Sequence, residues 1–376
     1  MARAGLGAGW HCAFANDFDP MKARTYKQNW GAAEFLEGDV ALVSVEALPE
    51  HADLVWASFP CQDLSLAGKY AGLGRSSDES LTRSGTFWPF WSLMGALRKE
   101  RRSPRLVVLE NVIGTITSHQ GRDFTSICKA LSDGGYMFGA VIVDAKHFVP
   151  QSRPRLFFVA ITRSGDDLSG ATTNVPNSLF HSEALSSAVH ALPADVRKNW
   201  VWWKLPVPPL RNTTLADLID DEPEGCSWHT REETERLLTM MTPLHLAKIA
   251  EVGRAQKKVV GSVYKRTRLD ADGVKQQRAE VRFDGLSGCL RTPGGGSSRQ
   301  TIIVVEGTSI QSRLLAPREA ARLMGLPDSY KLPQRYNDAY RVAGDGVCVP
   351  VVRYLASHLL EPILRSSNSI VRSLAA

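Results

Sequence analysis

Asp53-Leu54-Val55-Trp56-Ala57-Ser58-Phe59-Pro60-Cys61-Gln62 is the stretch on which the fold turns. An apolar run of strand length ends in a turn that carries a cysteine between a proline and an amide. A second apolar run, Arg105-Leu106-Val107-Val108-Leu109, ends in Glu110-Asn111-Val112, and a basic turn, Gln151-Ser152-Arg153-Pro154-Arg155, precedes a third at Leu156 to Ile161. Strands buried on both faces read as continuous apolar runs, and an open α/β sheet presents its chemistry at the carboxyl ends of its strands. Cys61 and Glu110 are therefore expected at one crevice.

Further out, helices are predicted at Pro20 to Asn29, Thr86 to Glu100 and Arg122 to Asp133, and another strand at Met137 to Val143. This alternation up to Thr162 predicts a Rossmann-like, doubly wound α/β sheet. After Arg163, Ser, Thr, Asn and Pro accumulate and periodicity fades. The expected domains are 1–163, a smaller one at 164–336, and a segment, 337–376, returning to the first through a helix from Val347 to Leu364. Glu232 to Ala250 reads as one helix with Leu237, Leu238, Met241, Leu244 and Leu246 inward. Trp200, Trp202 and Trp203 read as local core.

The chemistry starts from the cysteine. A thiol attacks an electron-poor carbon as thiolate, and polar Ser58, Asp63 and Ser65 around Cys61 favour a cleft over a core. Cys12, Cys128, Cys226, Cys289 and Cys348 read instead as small buried hydrophobes. If the Cys61 thiolate adds to C6 of a cytosine, charge spreads to N3 and C5. A carboxyl group at N3 and N4, the role that fits Glu110, stabilises that adduct, and C5 becomes nucleophilic enough to take a methyl group from a sulfonium donor.

With these motifs in order, the chain resembles the DNA (cytosine-5)-methyltransferase family from Asn16 to about Leu364. Pro60-Cys61-Gln62 is similar to its nucleophile motif, Glu110-Asn111-Val112 to its acid motif and Gln151 to Arg155 to the basic motif that follows. The run from Arg313 to Asp328 resembles the late motif that braces the recognition domain, and Gly344-Asp345-Gly346-Val347 the last motif, which returns to the cofactor pocket. The resemblance implies a class I S-adenosyl-L-methionine-dependent fold, Cys61 as nucleophile, Glu110 as acid, Arg155 on the activated base and Arg153 in support. It implies Asp17 on the cofactor ribose, Phe18 on the adenine, Asp39 and Val40 at the adenine amino group, and Pro60 and Asp345 as further cofactor contacts. It puts Gln62 and Ser65 against DNA, on a closing loop from Cys61 to about Phe87. In the recognition domain, Arg291, Thr292 and Arg299, within the glycine-rich stretch Cys289 to Thr301, are the residues expected to face DNA. Lys265-Arg266-Thr267-Arg268 reads equally as phosphate-contacting or as solvated charge.

Two places depart from the family pattern. Gly5-Leu6-Gly7-Ala8-Gly9 looks like a cofactor loop, but the acid of such a fingerprint follows by roughly twenty residues, and Asp17 follows Gly9 by eight. These glycines read as a turn between a first helix and the strand His11 to Asn16, with the family's first strand and Phe/Gly-rich loop missing. Two explanations stand: a start lying further upstream, favoured because every other motif is intact, or a truncated, inactive DNA-binding paralogue. Asp345 also stands where relatives carry asparagine, and a carboxylate accepts hydrogen bonds but donates none.

Composition agrees. The 376 residues suffice for two domains, and a formal net charge of +6 suits a polyanion. Six cysteines without paired spacing argue against disulfides and zinc and for a reducing compartment. Met1 to Pro20 shows no signal-peptide pattern, and no segment reads as the roughly eighteen apolar residues that span a bilayer. The expected partner is duplex DNA, with no membrane and no metal, and the expected state a monomer. An RNA-directed relative and a cysteine hydrolase are weaker readings; the latter lacks a recognisable histidine partner among His51, His119 and His147.

Overall fold

The computed structural model describes residues 1–59, 87–163, 168–269, 273–292 and 299–366. They form two compact units: Met1–Asp144 with Pro154–Pro208 and the chain from Val351, and Ala145–Arg153 with Pro209–Pro350.

In the first unit α1 (Ala2–Leu6) stops at Gly7, whose φ of 84° few residues but glycine adopt. The glycines here thus form a turn after a helix. The strand expected at His11 to Asn16 is shorter: β1 is Ala15–Asp17, joined through α2 (Pro20–Trp30) to its parallel partner β2 (Phe35–Glu37). The start of α2 is fixed by Pro20 and by the Asp19 carboxylate, which accepts the N–H groups of Met21 and Lys22.

The main sheet follows. β3 (Leu54–Ser58), α3 (Phe87–Lys99), β4 (Leu106–Val112), α4 (Arg122–Asp133), β5 (Tyr136–Asp144) and β6 (Pro154–Thr162) give a strand order β3-β4-β6-β5. β3 and β4 are parallel, whereas β6 is antiparallel to both its neighbours. The connection 145–153 is shorter than the dozen or so residues a parallel crossover needs, which forces this reversal. Leu106, Val107, Val108 and Leu109 are fully buried, and Phe124, Ile127 and Leu131 of α4 pack into the same core.

The first unit does not end at Arg163 as the polar composition suggested. β7 (Thr172–Thr173), α5 (Glu183–His190), α6 (Ala194–Arg197) and β8 (Trp202–Trp203) follow, and Leu185, Val189, Leu192 and Val196 join the core of the sheet. Trp200 and Trp202 pack against it and Trp203 is buried, as a local core requires.

The second unit contains α7 (Arg231–Thr239), α8 (Pro243–Gly253) and an antiparallel sheet of order β10-β9-β11-β12, made of β9 (Val259–Leu269), β10 (Lys275–Arg282), β11 (Thr301–Glu306) and β12 (Ser309–Leu314). α9 (Pro317–Arg322) and α10 (Tyr336–Asp345) follow. The single helix expected over Glu232 to Ala250 is two, because Pro243 starts a new one. The restart changes the phase: Leu237, Met241 and Ile249 are buried, but Leu244 and Leu246 are 66% and 41% exposed. α11 (Val349–Leu355) takes the chain back to the first unit from Val351. Among the described residues, the helical run Tyr336–Ser366 is long and apolar enough by length and composition to cross a membrane, contrary to the sequence expectation. Its apolar side chains, including Val352, Leu355, Leu359 and Leu360, are nonetheless buried in the protein.

Candidate active site

Glu110 stands near the carboxyl end of β4, in register with Ser58, the last residue of β3. On β6, Arg155 faces Val112 of β4, so Arg155 and Glu110 are diagonal neighbours on one face of the sheet. They meet at 3.3 Å between Arg155 Nε and Glu110 Oε1, with side chains 15% and 10% exposed. Asn111 points to the opposite face: it is 2% exposed, donates from Nδ2 to the Phe59 carbonyl at 3.5 Å and accepts from the Val112 N–H at 2.8 Å. The strand that carries the acid is thereby tied to the chain leaving β3. A side-chain role for Asn111 escaped the sequence reading, since an asparagine after an apolar strand looks like an ordinary turn residue.

The parallel pair β1 and β2 brings Asp17 and Asp39 to corresponding strand ends. Asp17 lies opposite Glu37, and the Gly38 N–H donates to its carbonyl. Asp17 Oδ1 accepts the Asp19 N–H at 2.9 Å, and Asp39 Oδ1 the Ala41 N–H at 2.9 Å, which places Val40 at the start of a single helical turn. Phe18, between Asp17 and the cap Asp19, is 65% exposed. Two carboxylates at strand ends and a bare aromatic ring are a donor set that fits the ribose, adenine amino group and adenine face of an adenosyl group.

In the second unit, Arg153 is 3% exposed and its guanidinium binds two segments at once. Nη1 donates to Cys289 Sγ and the Leu290 carbonyl, both at 3.3 Å, and Nη2 to the carbonyls of Gly344 and Gly346 at 2.9 and 2.7 Å. Gln151, fully buried, donates to the Leu323 carbonyl at 2.8 Å and accepts the Leu290 N–H at 3.1 Å. Asp345, last in α10, pairs with Arg341 at 3.5 Å. Gly344 has no room for a side chain, since a Cβ there meets Thr292 Cγ2 at 2.9 Å. Arg299 lies 5.2 Å from the centre of the Tyr336 ring. Gln300, within the stretch expected to face DNA, is turned inward instead, bonding the carbonyls of Val263 and Thr301.

Pro60, Cys61, Gln62, Ser65 and the rest of the expected closing loop up to residue 86 lie outside the described residues, as do the glycines at 294–296. Of the cysteines read as buried, Cys128 and Cys348 are so, but Cys12, Cys226 and Cys289 are half-buried. Each has a polar neighbour instead, Tyr26 for Cys12, the Leu314 carbonyl for Cys226 and Arg153 for Cys289. The late motif holds a fully buried pair that the sequence does not announce: Arg313 grips Glu319 with two bonds of 2.6 and 2.8 Å and donates to the Asp220 carbonyl at 2.7 Å.

The fold is that of the class I S-adenosyl-L-methionine-dependent methyltransferases, and solved structures of methyltransferases share it. The Dnmt2 methyltransferase of S. pombe superposes with a TM-score of 0.53 at 18% identity, over 95% of this chain and 93% of that one. A Spodoptera frugiperda DNMT2 mutant gives 0.55 at 15%, over 94% and 93%. The model of the C-5 cytosine-specific DNA methylase family matches residues 2–361, and the chain belongs to that family. It is 27% identical to the type II methyltransferase M.HpaII of Haemophilus parainfluenzae, over 94% of this chain and 84% of that protein. To M.HhaI of Haemophilus parahaemolyticus it is 27% identical, over 95% and 92%. The methyl donor of the family is S-adenosyl-L-methionine.

Proposed function

We propose that the protein transfers a methyl group to C5 of a cytosine in duplex DNA through a covalent bond between Cys61 and C6, with the target base turned out of the helix. The observation that carries this reading is the partly open Glu110–Arg155 pair, in register with the strand end that leads to Cys61. Cys61 follows Ser58 by three positions in the sequence, directly after the strand end that Glu110 faces. The Cys61 thiolate adds to C6, and the electron pair displaced through the ring is held at N3 by the Glu110 carboxyl group. The enamine-like C5 then takes the methyl group. Loss of the C5 proton and departure of the thiolate from C6 restore the aromatic ring.

S-adenosyl-L-methionine supplies an electrophilic methyl on a sulfonium. The chain's own part is to hold it: Asp17 at the ribose, Phe18 at the adenine face, Asp39 and Val40 at the amino group, with Pro60 and Asp345 nearer the reacting end. Arg155 orients Glu110 and the base, while Arg153 acts at one remove by fixing the segments around Leu290 and Gly344. Arg291, Thr292 and Arg299 face DNA, with Gln62 and Ser65 on the flipped nucleotide. We also take the protein to be a monomer.

Transfer of labelled methyl from S-adenosyl-L-methionine to duplex DNA, abolished in Cys61→Ala, tests the proposal. A covalent complex on DNA containing 5-fluorocytosine tests the adduct directly. A chain that binds DNA and never transfers or traps is the inactive paralogue.

A further inference from the structure

The β9–β10 hairpin has two unlike faces. Residues directly opposed in an antiparallel pair share a face. Val263 with Val281 and Lys265 with Ala279 lie on one, and Tyr264 with Glu280, Arg266 with Arg278 and Arg268 with Gln276 on the other. The first is core at its inner end, where Val263, Ala279 and Val281 are 1%, 0% and 2% exposed, and open further out, where Thr267 and Gln277 are exposed. The second presents three arginines against one carboxylate. Glu280 accepts from Arg268 at 2.8 Å and lies 3.4 Å from Arg266 Nε, and both arginines remain about half exposed, at 44% and 52% of their side chains. Arg278 stands directly across from Arg266, an arrangement in which like charges repel and cost stability. At its Tyr264 end this face meets a cleft of about 350 Å³ lined also by Arg282, Cys289 and Arg291.

We propose that Arg266, Arg268 and Arg278 form a grip on the phosphate backbone of duplex DNA that is indifferent to base sequence, separate from the loop carrying Arg291 and Arg299. The inference rests on the function proposed above. Guanidinium forks match phosphate oxygens bidentately, and a row of them at fixed strand spacing suits an anion that repeats along a polymer. A phosphate between Arg266 and Arg278 turns their repulsion into attraction. The cleft connects the face to Arg291, so one duplex can touch both.

The test is binding of the full chain to two duplexes of unrelated sequence, followed by fluorescence anisotropy over a salt series. Each phosphate that the protein ceases to neutralise lowers the slope of log Kobs against log salt by about 0.9. Arg266→Gln with Arg278→Gln is expected to reduce the slope by about 1.8 on both duplexes, while Arg231→Gln, an exposed arginine on α7 of the same unit, leaves it unchanged. The Lys/Lys variant at the same positions is expected to keep the slope, so a loss caused by misfolding is told apart. An unchanged slope in the Gln/Gln variant, a loss on only one duplex, or an equal loss in Arg231→Gln overturns the grip. Cys61→Ala is expected to keep the wild-type slope; an unaltered chain that gives this slope yet never transfers methyl speaks against the catalytic proposal alone.

Discussion

Two arginine–carboxylate pairs, one in each unit, use the same chemistry to opposite ends. In the second unit Arg313 and Glu319 are fully buried and closed on each other by two bonds, with Glu319 also accepting the N–H groups of Ala316 and Asp220. In the first unit Arg155 and Glu110 meet at a longer contact of 3.3 Å, and both keep some access to solvent. A charged pair sealed from water is held by the cost of breaking it. A pair left ajar at a strand end can exchange part of its partnership for a substrate. Closure, more than residue type, separates the bracing pair from the one proposed to do the chemistry.

The largest effect that sharpens this contrast is Glu110→Gln. The amide is isosteric but cannot supply the acid, so kcat is expected to fall by about 10²- to 10⁴-fold, with S-adenosyl-L-methionine affinity and urea midpoint near wild type. A loss under tenfold removes Glu110 from the acid role. Glu319→Gln is expected to do the reverse. Leaving Arg313 buried without its counter-charge costs about 3–5 kcal/mol, read from urea unfolding by the fluorescence of Trp228, whose ring lies 4.8 Å from the Arg313 guanidinium. If that variant is as stable as wild type but catalytically dead, the two pairs have been assigned the wrong way round.

The contrast also marks how far the sequence could be read. Glu110 and its strand were legible because Leu106 to Leu109 form an unbroken apolar run, and the structure buries every one of them. Arg153 and Arg155, two positions apart, carry no sequence mark that separates them. Pro154 opens β6 between them, so Arg155 joins the ladder while Arg153 stays in the turn and binds four acceptors. The unit boundary was misplaced because polar loops say nothing of what lies between them: Leu185, Val189 and Trp200 pack on the sheet whatever the composition of 164–182. Leu244 and Leu246 were misread because Pro243 resets the helical phase, which a pattern continued through it does not register.

A smaller effect is expected from pH. His181 in the first unit is 3% exposed, accepts the Asn177 N–H at Nδ1 and packs edge-on to Trp202. Burial pushes its pKa down from 6.5 to about 4. The folded state holds the neutral ring, and the unfolded chain takes up a proton below pH 6.5. The stability is therefore complete above that pH and is lost as pH falls toward 4, at about 1.4 kcal/mol per pH unit. Urea midpoints at pH 7 and pH 5 are expected to differ less in His181→Gln than in wild type. An equal difference shows that other groups set the acid sensitivity.

The smallest test compares two helix caps, a carboxylate and a hydroxyl. Asp19 caps α2 in the first unit, and Thr230 caps α7 in the second through a reciprocal box with Glu233. Replacing either with alanine costs about 1 kcal/mol, so the two variants are expected to lose similar stability. They diverge in function, because Asp19 also donates its N–H to Asp17 and follows Phe18 directly. Loosening the start of α2 moves the carboxylate and ring assigned to the cofactor, so Asp19→Ala is expected to raise the KM for S-adenosyl-L-methionine several-fold while Thr230→Ala leaves it alone. If both shift KM alike, the effect is general destabilisation, and the assignment of Asp17 and Phe18 to the cofactor loses its support.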